Sequence, residues 1–147
     1  MLEKIYAFVL SLQTNIVTQE EYADFLNMLF LEEPTNEWLV ELEFASNNLF
    51  ETLTITNEAL YRRKIPLNYN VFGYVLFENI RKLYEKRTLG IEEFGLRAYT
   101  VWNLLPGEIK QAEPFWTLSY ADDCLSYVGE TQARELYEGT FSYKWNT

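Results

Sequence analysis

Apolar residues recur along this chain three or four apart, and the polar residues between them fall into blocks bounded by Pro, Gly or Asn. Leu2, Ile5, Val9 and Leu12 predict a helix over 2–14. Thr18 and Glu21 stand three apart in the capping-box pattern and open a second helix, with Tyr22, Phe25, Leu26 and Leu29 on one face. A third helix is predicted from Thr35, just after Pro34, to about Ser46, with Trp38, Leu42 and Ala45 inward and Asn47-Asn48 at its end. The segment 49–64 reads two ways. LFETLTIT carries β-branched residues and some alternation, whereas EALYRRK is helical in character. We read it as helix, with a short strand at 50–56 as the alternative.

Pro66 breaks the chain, and Asn70 is expected to cap a long helix to about Lys86, with Tyr69 and Tyr74 as its hydrophobic staple. VFGYVLFENIRKLY is apolar nearly all round at its start, which marks the central core helix. Ile91, Phe94, Ala98, Val101, Trp102 and Leu105 form a further stripe that stops at Pro106-Gly107. Pro114 is expected to open a helix through Val128 that Gly129 ends. A short helix follows from about Thr131 to Glu138, closed by Gly139, and the aromatic tail FSYKWNT is expected to lie back on the domain. The pattern predicts an all-α, single-domain compact bundle of about six to eight helices over residues 1–147.

Composition narrows the function. Aromatic residues make up 17% of the chain. That is enough to build a substantial core and leave rings for contacts, because each buried ring removes about 150–250 Å² from water. The single cysteine, Cys124, excludes an internal disulfide. The apolar stretch from Ile5 to Leu12 is too short to cross a bilayer and lacks the features of a signal peptide, so a cytoplasmic location is expected, without membrane contact. His is absent. Triads built on His and zinc-histidine sites are therefore impossible in these residues.

Charge changes the picture most. Residues 1–58 hold eleven acids and one base, Lys4; residues 59–90 hold seven bases and two acids; residues 91–147 hold nine acids and four bases. The net charge of −10 is therefore concentrated at the N-terminal end, with a basic segment in the middle. On the second helix, Glu20, Glu21 and Asp24 avoid the apolar stripe, and Glu37 and Glu41 share a face of the third. Like charges four apart are mildly destabilising in a helix. Such a surface becomes useful when a cationic partner arrives, because it speeds encounter and rewards complementarity. Glu20, Glu21, Asp24, Glu33, Glu37 and Glu41 are therefore the candidate partner-binding residues. The competing reading is that these acids solubilise the domain, or that the bases at 62–64 and 81–87 neutralise them within the fold. An overall acidic chain argues against direct nucleic-acid binding.

Other chemistry finds little support. Asp122-Asp123, Glu20-Glu21 and Glu92-Glu93 are adjacent pairs that point about 100° apart on a helix. Two acids beside Cys124 would suppress its thiolate, which makes it a small core residue. No phosphate-binding loop is present. Trp38, Trp102 and Trp116 read as core, and Trp145 as a contact residue. No motif implies a metal or a cofactor, and no catalytic residue is identified.

NIVTQEEYADFLNML followed by NEWLVELEFAS, covering residues 15–46, resembles the small acidic helical immunity proteins that accompany bacterial polymorphic and contact-dependent toxins. The resemblance is one of composition and arrangement. It implies a non-enzymatic antidote that binds a cognate toxin, often a basic nuclease, and blocks its active site. The basic segment 59–90 departs from a uniformly acidic inhibitor. A DNA-mimic protein is a close variant of this reading. The alternatives are an adaptor binding through aromatics such as Tyr143 and Trp145, and an enzyme using carboxylates with a divalent ion.

Overall fold

The computed structural model describes residues 1–147 as eight α-helices and one 3-10 turn, with no strand. They are α1 (Leu2–Gln13), α2 (Gln19–Glu32), α3 (Glu37–Phe44), α4 (Leu49–Arg62), α5 (Tyr69–Lys86), α6 (Ile91–Asn103), α7 (Thr117–Val128) and α8 (Glu130–Phe141). The all-α expectation holds, and the eight helices fall within the expected number.

Two cores share α1. On one side, Ile5 and Val9 meet Tyr22, Phe25, Leu26 and Leu29 of α2 and Leu39 and Leu42 of α3. On the other, Ala7 and Leu10 meet α5, and the cluster continues through Phe94 and Val101 of α6, Leu118 of α7 and Tyr137 of α8. Each fully buried large apolar side chain stabilises the fold by about 1.5–3 kcal/mol. The larger core is rich in rings: Tyr6 stacks on Phe72, and Phe94 meets Tyr137 edge to face. α5 is the central helix its sequence predicts, burying Phe72, Gly73, Leu76, Phe77, Ile80 and Tyr84. Its one buried polar side chain, Asn79, donates to Ser11 Oγ of α1 at 3.1 Å, and the Ser11 hydroxyl donates to the Ala7 carbonyl.

Most differences from the sequence reading lie at helix ends. α3 begins at Glu37 rather than at Thr35, and Asn36 caps it, its side chain accepting from the amides of Trp38 and Leu39. Asn68 caps α5, and Asn70 lies in the first turn. The staple is also absent. Tyr74 is exposed, while Tyr69 packs edge-on to Phe72 and hydrogen-bonds Glu108. Residues 107–116 form a 3-10 turn and loop, so α7 begins at Thr117 rather than at Pro114. α8 runs past Gly139 to Phe141. Trp38 is only half-buried, and Leu39 and Leu42 carry the inward face of α3.

The segment 50–56 is helix, not strand. Asn48 caps it; Thr54 and Thr56 satisfy their hydroxyls on the previous helical turn, and Thr52 reaches back to the C-terminal end of α3. Thr56 donates to the Thr52 carbonyl at 2.8 Å, Thr54 to Phe50 at 2.9 Å, and Thr52 back to Ala45 at 2.8 Å. Thr52 and Thr56, one turn apart, are the fully buried positions.

Trp145 is a packing residue rather than a contact residue. Its ring lies against Phe77, Phe115 and Tyr143, over the bare backbone of Gly73. A methyl group at 73 would occupy the space of the indole. Cys124 is half-buried on α7.

Candidate acidic face

The six candidate carboxylates sit on two neighbouring helices. Glu20, Glu21 and Asp24 lie in the first turns of α2, Glu33 is its C-terminal cap residue, and Glu37 and Glu41 lie on α3. All are exposed except Glu21, which is partly buried. Thirteen residues at a rise of about 1.5 Å separate Glu20 from Glu33 by roughly 20 Å along the axis. The structure therefore does not gather the six into one cluster. It places Glu20 and Asp24 one turn apart at one end of α2, and Glu32, Glu33 and Glu37 around the α2–α3 corner at the other.

Local sequence explains these positions. Thr18 Oγ1 accepts from the Glu21 amide at 3.1 Å, and the Glu21 carboxylate accepts from the Thr18 amide at 2.9 Å, completing the expected capping box. On α3, inward Leu39 and Leu42 leave Glu37, Val40, Glu41 and Phe44 on the outer face at i, i+3, i+4 and i+7. Phe44 is 89% exposed. On α2, Leu31, at 86% exposure, continues the outer line of Glu20 and Asp24. The face is thus acidic with apolar side chains set into it. Sequence reading missed Leu31 and Phe44; the i+7 spacing of Phe44 from Glu37 is the signal that could have found it.

The ion pairs answer whether the bases neutralise these acids. Of the eleven acids in residues 1–58, Glu3 pairs with the N-terminal amine and Glu21 with Lys86 at 3.4 Å. The other nine take no ion pair. Arg81 is held by Glu78 at 2.6 Å and Glu85 at 3.0 Å on its own helix, and Arg87 lies 3.9 Å from Glu138. Arg97 and Arg134 likewise pair one turn away, with Glu93 and Glu130. The basic segment is thus largely engaged within the C-terminal half or left free, and only Lys86 reaches the acidic helices. Partial burial raises the Glu21 carboxyl, but the capping bonds and Lys86 outweigh it and hold the group below its ordinary value of 4.5.

Beside this face, α2 and α5 diverge over α1 and leave a cleft of about 880 Å³. Phe8, Val17, Phe25 and Val75 give it an apolar lining, and Glu21, Asp24, Lys4 and Lys82 stand at its rim. No three acids or thiols converge to hold a metal ion. No helix is long and apolar enough to cross a membrane. Comparisons with protein-family models, characterised proteins and solved structures find no match to this chain.

Proposed function

We propose that this protein is a non-enzymatic, protein-binding inhibitor of the immunity type, acting in the cytoplasm on a cationic partner such as a toxin nuclease. The observation that carries the reading is the set of nine N-terminal carboxylates without ion pairs. Unpaired acids at this density repel one another, so the fold gains from a basic surface that covers them. Leu31, Val40 and Phe44 add apolar area beside the charge, which supplies affinity as well as steering. Glu33, Glu37, Glu41 and Phe44 would form the centre of contact, with Glu20 and Asp24 at its edge. Glu21 contributes less, being committed to its cap and to Lys86.

Capture from the native host, with wild-type protein and the Glu37→Lys/Glu41→Lys variant as paired baits, tests the reading. A basic protein retained by wild type at low salt, released at high salt and lost with the variant is the expected result. Titrating the purified partner should then abolish its activity at a one-to-one ratio. Identical capture by both baits, or a captured partner whose activity is untouched, would overturn the assignment.

A further inference from the structure

The cleft between α2 and α5 is built differently from the acidic face beside it. Its floor is apolar: Phe8 of α1 stacks on Phe25 of α2 with ring centroids 3.8 Å apart, and Val17 and Val75 extend the surface. One buried polar side chain interrupts it. Asn79 is only 4% exposed, yet it lines the cleft. Its amide nitrogen donates to Ser11 Oγ, and the Ser11 hydroxyl is already committed to the Ala7 carbonyl. The nitrogen end of the amide must therefore face Ser11, which leaves Asn79 Oδ1 as an acceptor without a protein partner. A buried acceptor in this position favours a donor brought in by a ligand.

Charge is divided between the two walls. Asp24 on α2 and Lys82 on α5 both line the cleft, both are exposed, and neither has an ion pair. The other two carboxylates of the lining are occupied, Glu21 by Lys86 at 3.4 Å and Glu78 by Arg81 at 2.6 Å. α5 runs parallel to α1, with Glu3 against Asn68 and Ser11 against Asn79, whereas α2 runs back along α1 until Asn36 meets Met1. The Glu21–Lys86 pair lies one turn before Asp24 and one turn beyond Lys82. It therefore closes this end of the cleft and sets Asp24 and Lys82 on facing walls, with Asn79 one turn from Lys82. Lys4, two turns along α1 from Ser11, stands at the far end.

We infer that this end of the cleft binds a small apolar zwitterion, an α-amino acid with a large hydrocarbon side chain. Its ammonium group takes Asp24 and Asn79 Oδ1, its carboxylate takes Lys82, and its side chain lies on Phe8, Phe25 and Val75. A simple anion would meet Asp24 and leave Asn79 Oδ1 unserved, and a simple cation would meet Lys82. A helix of a partner protein is disfavoured because the Glu21–Lys86 pair bars its passage. The cleft volume of about 880 Å³ lies in the range of small-molecule sites. The inference goes beyond the inhibitor reading. Asp24 is common to both, but the ligand is tested on the protein alone, so either can fail without the other.

Isothermal titration calorimetry with L-phenylalanine, phenethylamine and phenylpropionate tests it, the two analogues lacking the carboxylate and the ammonium group respectively. Saturable binding of L-phenylalanine is expected, about tenfold tighter than either analogue, because each analogue loses one charge-assisted contact. Asp24→Asn should weaken phenylalanine and phenethylamine about tenfold without weakening phenylpropionate. Lys82→Gln should weaken phenylalanine and phenylpropionate without weakening phenethylamine. Both side chains are exposed, so circular dichroism and melting temperature should be retained. No saturable binding of L-phenylalanine at millimolar concentration overturns the inference. So does an affinity that either substitution leaves unchanged, or an analogue bound as tightly as the amino acid, since the facing charges would then not read the ligand.

Discussion

Gly73 and Trp145 are seventy-two residues apart, yet each determines what the other can be. The indole occupies the volume a Cβ would need, so Gly73→Ala must displace the ring or bend α5. Overpacking of this kind costs about 1–3 kcal/mol. We expect that loss in thermal melts of Gly73→Ala, and almost none when the same change is made in Trp145→Ala. A full cost in both backgrounds would mean that the helix itself rejects alanine there. The pairing was not legible in the sequence, where Trp145 reads as a terminal contact residue; nothing local marks a glycine as the floor beneath a distant ring. A second residue-scale feature lies where α6, α7 and α8 meet. Tyr137 is fully buried with no partner for its hydroxyl, and Asp122 Oδ1 is also unpartnered. Gly95 lets α6 approach both: a Cβ there would lie 2.9 Å from the Asp122 Cβ and 3.0 Å from the Tyr137 hydroxyl. Burial, and then the charge of Asp123, raise the Asp122 carboxyl above its ordinary 3.8. The folded state thus disfavours the ionised form. That cost is present at neutral pH and is relieved as pH falls through the raised value toward 3.8. Asp122→Asn should therefore raise the melting temperature at pH 7 and lose its advantage near pH 3.8 and below; an advantage that does not vary with pH would contradict this account.

Among elements, the helices whose apolar stripes are backed by a side-chain cap were the most readable. Thr18 and Glu21 announce α2, and both reciprocal bonds form. Thr18→Ala is expected to cost about 1 kcal/mol, measurable in urea unfolding as a lower midpoint at unchanged slope. Glu21 adds a pH signature of opposite sign to that of Asp122. Its carboxyl is held below 4.5, so its contribution is complete above that value and is lost as pH falls through the lowered one. Boundaries failed where two residues competed for one role. Asn68 and Asn70 can both cap α5, and only the bond from the Asn68 amide to Glu3, at 2.9 Å, and the packing of Tyr69 favour the earlier start. α4 was ambiguous because its buried positions are threonines. A hydroxyl that bonds back to the previous turn makes a residue of strand preference acceptable in a helix, and hydrophobic periodicity does not register it.

For the molecule as a whole, the uneven distribution of charge was visible in the sequence, whereas its pairing was not. The partners Lys86 and Glu21 are sixty-five residues apart, while the acids of α3 and α4 have no cation brought to them. The acidic helices could be located from the sequence, and the structure spreads their six candidate carboxylates along α2 and α3, whereas exposed Leu31 and Phe44 each look like an ordinary core residue out of context. The two-core arrangement was equally hidden, since α1 carries a single continuous stripe that serves both sides. Both ends of the chain are tied to the same turn of α5: Glu3 accepts from the Asn68 amide, and Asn70 accepts from the Asn146 amide at 3.2 Å. A force applied between the two ends would consequently open the molecule like a zip. It would strip the tail from Gly73 and lift α1 away from its first turn, breaking contacts in succession rather than shearing them together, so the fold should be mechanically soft along that one direction however stable it is to heat.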